Sequence, residues 1–191
     1  MARPRDAAID RAIITACLEL LDEVGRAGLS RDQIARRAGV SLPAVNRRFA
    51  DVDAILLEVV RTPIYVDSEL PTTEDLRRYL TSVLNRAVDT LDRVPIRRPT
   101  AEILAAAAGS QQIATAFATT LAQAQAETVR RIEVARDRGE LRPDTDAQVL
   151  LDLLNGALYY RLLWRGEKLN RSDVVVLVAS VLRAATTEGP S

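Results

Sequence analysis

Apolar residues recur at helical spacing almost from one end of this chain to the other, which restricts its fold more than any other feature. Turn signals come too far apart for a succession of hairpins. Over residues 6–24, Ile9, Ile13, Cys17, Leu20 and Val24 form one stripe, and Gly25 and Gly28 end it. Cys17 lies on that stripe, so it is expected in the core and not as a reactive thiol. A second stripe, Leu76, Leu80, Leu84, Val88 and Leu91, marks a helix over 74–93, between proline-marked breaks at 62–73 and 94–100. After a short alanine-rich helix over 101–108, Ser110 caps a long one. Its stripe is Ile113, Phe117, Leu121, Ala124, Thr128, Ile132 and Ala135, and Gly139 ends it.

Beyond Pro143, Asp144 is expected to cap a helix on the order of 30 Å long, closed by Gly166. Its leucines at 150, 151, 153, 154, 158, 162 and 163 surround much of its circumference. A surface helix needs one apolar stripe, so this helix is expected to be covered on two sides. The valine-rich run over 173–185 has the composition of a strand, but no second strand exists to pair with it, and a helix is expected. The class is therefore all-α, with about nine helices.

Several chemistries are excluded by composition. The 191 residues contain no histidine, which removes Ser-His-Asp triads, Cys-His pairs and His-bearing metal sites. No GxGxxG or GxxxxGK[ST] loop is present to cradle phosphates. No paired acidic motif or metal-ligand spacing appears, so no catalytic residue, metal or cofactor is expected. The opening MARPRDAAIDR lacks the apolar core of a signal peptide. The most apolar later stretch carries Gln148, Asp152, Asn155 and Arg161, too many polar groups for a membrane span. A cytoplasmic protein with no membrane partner is expected, and a lone cysteine fits a reducing compartment.

Residues 30–49, SRDQIARRAGVSLPAVNRRF, read as helix, glycine turn, helix. Ser30 is placed to cap the first helix with Gln33 three residues on, and Ser41 to cap the second over 42–49, with Pro43 in its first turn. Asp51 caps a following helix to Arg61. Net charge is zero overall, from 26 basic and 26 acidic residues. From Arg26 to Arg48, however, six arginines face Asp32 alone, a local +5 balanced by −5 elsewhere. Such a patch concentrates attraction for phosphate at one end of the chain.

With Ile34, Ala35, Ala38, Gly39, Val40, Ser41 and the closing Phe49, residues 5–60 resemble the DNA-binding domain of the TetR (tetracycline-repressor) family. GELRPD over 139–144 and LYYRLL over 158–163 resemble a ligand-binding subclass of that family. The resemblance implies a three-helix helix-turn-helix DNA-binding domain over 1–50 and a ligand-binding and dimerisation domain over 51–191. It implies that Leu42, Pro43, Ala44, Asn46 and Arg48 face bases, while Arg31, Ser41 and Arg47 hold phosphates. The side-chain chemistry agrees: arginine suits guanine, asparagine suits adenine, and small apolar groups suit thymine methyls. Two positions depart from the family pattern, Asn46 for a usual tyrosine and Val52 for a usual lysine, and weaker binding or an unusual operator is expected.

The implied function is a repressor that binds a palindromic DNA operator as a homodimer through its last two helices, released by a small-molecule effector. Tyr79, Phe117, Leu121, Tyr159, Tyr160 and Trp164 are the candidate pocket residues, and they suit a mostly hydrophobic ligand. The fourth helix is the expected transmitter from pocket to reading head. The alternative is a helical small-molecule-binding protein without DNA-binding activity.

Overall fold

The computed structural model of the chain describes residues 7–62, 72–93 and 97–186. Nine α-helices and no strand occur among them, in the order α1 (Ala7–Val24), α2 (Arg31–Arg37), α3 (Leu42–Asn46), α4 (Val52–Arg61), α5 (Leu76–Arg93), α6 (Arg97–Gly109), α7 (Gln111–Asp137), α8 (Ala147–Tyr160) and α9 (Arg171–Ala185). A 3-10 turn, Arg26–Gly28, follows α1, and a π-helical turn, Arg161–Arg165, continues α8. Packing divides the chain into two compact units, Met1–Pro63 with Pro95–Leu121 and Ile64–Val94 with Ala122–Ser191.

In the first unit α1 packs against α2, α4 and α6. Ile13, Cys17 and Leu21 of α1 meet Ile34, Val45, Ile55 and Val59, all fully removed from solvent. Each such side chain contributes about 1.5–3 kcal/mol on burial. Burial pushes the Cys17 thiol up to about 12, so it stays protonated and unreactive. The turn after α1 requires glycine for two reasons. Gly25 has φ +69°, and a Cβ there would lie 2.6 Å from a Glu102 carboxylate oxygen and 2.8 Å from the Arg98 guanidinium. Arg98 uses that closeness: it donates to the carbonyls of Asp22 and Glu23, both at 2.8 Å, and so caps the C-terminus of α1 from α6.

The second unit is built on α5, α8 and α9, with α9 packed against both of the others. Leu80 of α5, Ile132 of α7, Leu154 of α8 and Val174 of α9 form its driest layer. The valine-rich segment is helical, opened by a reciprocal capping box between Asn170 and Asp173. The expected stripe of α5 is buried at Leu76, Leu80, Leu84 and Val88. That of α7 holds at Ile113, Thr128, Ile132 and Ala135, whereas Ala124 is exposed.

Three boundaries differ from expectation: α3 ends at Asn46, short of the expected 49, and proline accounts for the other two. The break expected through residue 100 ends early, because α6 begins at Arg97 and carries Pro99 in its first turn, where a missing N–H costs nothing. The cap of α8 is Asp146, which accepts from the Val149 amide at 3.0 Å, and not Asp144. Pro143 and Asp144 occupy the middle of a turn closed by the Thr145 amide on the Arg142 carbonyl at 3.0 Å.

Candidate functional site

The helix-turn-helix segment is fixed by local signals. Ser30 and Ser41 each accept a hydrogen bond at 3.3 Å from the amide three residues on, opening α2 and α3. Between them, Gly39 has φ +66°. Its amide donates to the Arg36 carbonyl and the Val40 amide to the Ala35 carbonyl, the paired bonds of a Schellman turn. α2 thus stops where a left-handed residue can turn the chain into α3. Asp51 opens α4 by accepting from the Ala54 amide at 2.7 Å.

The eight candidate DNA contacts separate into two groups. Ser41, Leu42, Pro43, Asn46 and Arg47 are exposed along α3 and its ends, and the Arg47 side chain has no partner among the described residues. Ala44, Arg31 and Arg48 are engaged within the first unit. Ala44 is buried against its core. Arg31 donates to the carbonyls of Phe49 at 3.3 Å and Ala50 at 2.6 Å, tying the start of α2 to the chain leaving α3. Arg48 donates to Asp10 on α1 at 2.8 Å and to the Ala44 carbonyl at 3.1 Å. The Arg48 and Asp10 side chains are only 15% and 24% exposed, so this pair works in a reduced dielectric.

The basic segment is less bare than its sequence. Arg26 pairs with Asp53, Arg36 with Asp32, Arg37 with Glu19 and Glu23, and Arg48 with Asp10. Four of these five carboxylates lie outside the segment, so packing offsets much of the local +5 that the sequence tally gives. The Arg37 guanidinium holds the Glu23 carboxyl below its ordinary range, chiefly by their hydrogen bond. Of the six arginines, Arg47 alone has no side-chain partner among the described residues.

The candidate pocket residues are more dispersed. Phe117 packs against the core of the first unit, and Leu121 is half-buried. Tyr159 is half-buried in the second unit. Tyr160 and Trp164 stack on one another, ring centres 6.4 Å apart, and Trp164 is 75% exposed. They continue an exposed apolar row from Val149 and Leu153 on α8, while Val175 and Val176 are exposed on α9. Tyr79 is buried, bonds Thr128 through its hydroxyl at 3.4 Å, and lines a cavity of about 310 Å³. The sequence pointed to the aromatics but missed the arginines that share this cavity, Arg130, Arg131 and Arg138. Their spacing along α7 was the available signal. Among the described residues no cluster of metal-ligating side chains occurs, and no helix is long and apolar enough to cross a membrane.

Comparison with known proteins agrees with this architecture over both parts of the chain. A family model described as bacterial regulatory proteins of the tetR family matches residues 13–59. A second, described as the tetracyclin repressor-like C-terminal domain, matches residues 70–181. The uncharacterised HTH-type transcriptional regulator YdeS of Bacillus subtilis is 27% identical over 186 residues, covering 95% of this chain and 91% of that protein. The crystal structure of the TetR family transcription regulator SCO0332 is 31% identical, covers 93% of this chain and 98% of that one, and superposes with a TM-score of 0.64. SmeT, solved in complex with triclosan, shares the fold at 19% identity and a TM-score of 0.68, with 95% and 93% of the two chains covered. YdeS and SCO0332 are both described as regulators of transcription. With a helix-turn-helix head and a matching C-terminal domain, the chain belongs to the TetR family of DNA-binding bacterial transcriptional regulators.

Proposed function

We propose that this regulator is a cytoplasmic repressor that occupies a palindromic operator as a homodimer and leaves it when a small, mostly hydrophobic effector binds. The observation that carries the DNA half is the exposed row Leu42, Pro43, Asn46 and Arg47 on a short helix held by two serine caps and a glycine turn. Leu42 and Pro43 would meet thymine methyls, Asn46 an adenine edge, and Arg47 and Ser41 phosphates. Ala44, buried on the inner face of α3, is assigned to packing and not to base contact. Arg48 would reach a guanine only by giving up Asp10, and Arg31 a phosphate only by giving up two carbonyls. We therefore assign both chiefly to holding the head together.

For the dimer we assign the outer face of α8, with its exposed Val149, Leu153, Tyr160 and Trp164, together with the exposed valines of α9. An apolar row of this size is rarely left to water in a soluble protein. Two-fold pairing there would present two reading heads, and so select two half-sites. Residues 1–50 then serve DNA and residues 51–191 ligand and partner. For the effector, we take Tyr79 beside its cavity in the second unit as the principal contact. The complex of SmeT with triclosan, a protein of the same fold, supports a small-molecule ligand. Release would follow from a shift toward a dimer whose heads no longer match the operator, with α4 as transmitter.

Deleting the gene should raise transcription from its own upstream promoter, and restoring it should lower transcription again. A fall on deletion would make it an activator, and no change would remove that promoter as its operator.

A further inference from the structure

The cavity beside Tyr79 is of a size that suits one small organic molecule. Its floor is apolar, from Leu76 on α5 and Val134 and Ala135 on α7. Its rim is charged: Arg130, Arg131 and Arg138 against Glu74 and Glu140, three positive groups to two negative. Residues 131, 134 and 135 share one face of α7, and Arg138, one residue past its end, continues that face through the bond of its amide to the Val134 carbonyl at 3.0 Å.

The three arginines are not equivalent. Arg131 is fixed from three directions: it donates to the Thr73 carbonyl at 2.6 Å and to Glu127 at 2.7 Å, and it lies over the Tyr79 ring 4.2 Å from the centre. Arg130 is also held by Glu127, at 2.8 Å through two nitrogens. Among the described residues Arg138 has a single side-chain contact, to Glu74 at 3.1 Å, and the Glu74 side chain is 85% exposed. A carboxylate arriving on Arg138 can displace Glu74 into water without stranding a buried charge, and an arginine fork can accept it through two parallel hydrogen bonds. Glu74 and Glu140 at the same rim oppose a dianion, so a singly charged head is favoured over a phosphate ester.

We propose that this cleft binds a small monocarboxylate with an apolar or aromatic body, its head on Arg138 and its body over Val134, Ala135 and Leu76. This deepens the effector reading above and rests on it for the effect on DNA, but not for binding itself.

Isothermal titration of the full chain with phenylacetate, phenylacetamide and acetate as probes tests it. Phenylacetate should bind at least about tenfold tighter than either its neutral amide or the bare carboxylate. Arg138→Gln, a surface change, should weaken phenylacetate by about tenfold and leave the amide unchanged. Val134→Trp, which fills the cleft, should abolish binding with unchanged circular dichroism; if that variant does not fold, Arg138→Gln decides. Equal binding of acid and amide, wild-type binding by Arg138→Gln, or no binding of phenylacetate at millimolar concentration would overturn the proposal. Phenylacetate binding as expected with no effect on operator affinity would uphold the site and sink its role as the effector site, whereas operator release by another compound with no phenylacetate binding would sink the carboxylate and leave the effector reading standing.

Discussion

Arg48 directs its guanidinium inward, to Asp10 and the Ala44 carbonyl, whereas Arg47 beside it has no partner among the described residues. The two should respond differently to removal. Arg48→Ala should lower unfolding stability by about 1.5–3 kcal/mol in urea titrations, the range for a hydrogen bond to a charged group. Arg47→Ala should leave stability within about 0.5 kcal/mol. It should instead weaken operator and unrelated DNA alike and reduce the log–log salt slope by about one, as loss of a phosphate contact does. The sequence could not separate these neighbours, because Asp10 lies 38 residues from Arg48 in the chain. A local charge tally cannot see a carboxylate that packing brings in. Glu127 gives a second residue-scale test. Hydrogen bonds from Arg130 and then Arg131 hold its carboxyl down at about 2, against an ordinary 4.5. A depressed carboxyl stabilises the fold above its unfolded value and loses that contribution as pH falls. The gap in urea midpoint between wild type and Glu127→Gln should therefore be full above pH 4.5 and close as pH approaches about 2.

Helix starts were legible where the signal was short-range. Ser30, Ser41 and Asp51 each cap through an amide three residues away, so the residue and its target sit in one window of sequence. The start of α8 was harder, because Asp144 and Asp146 are chemically equivalent and the Pro143 turn decides between them. Asp146→Ala should cost about 1 kcal/mol in thermal or urea unfolding. Asp144→Ala, which loses an exposed ion pair to Arg142, should change stability by less than about 0.5 kcal/mol. The two apolar faces of α8 were visible as leucines all round, and burial distinguishes them: Leu150, Leu151, Leu154 and Leu158 are inside, while Val149 and Leu153 are outside. If the outer face pairs two subunits, Leu153→Arg should halve the mass in sedimentation without loss of helical signal. A variant that stays at dimer mass would place the interface elsewhere.

Over the whole molecule, the all-helical class followed from helical periodicity with widely spaced turns, and for the valine-rich α9 from the absence of any strand to pair with it. The division into units did not, because the segment holding α6 and the start of α7 packs with α1 and α4 across a long stretch of intervening chain. Burial also makes Cys17 a reporter for the first unit as a whole. Its thiol should resist labelling at neutral pH until that unit opens, and labelling should then follow the unfolding transition. The central claim is that the exposed face of α3 reads DNA. Its most direct test is a salt titration of the full chain on a duplex from its own upstream region, beside unrelated DNA, with an Asn46→Ala, Arg47→Ala double variant. The account predicts tight binding to the first duplex, a steep fall with salt, and loss of the preference in the variant. Wild-type preference retained by the variant, or no preference across a pool of genomic fragments, would contradict it.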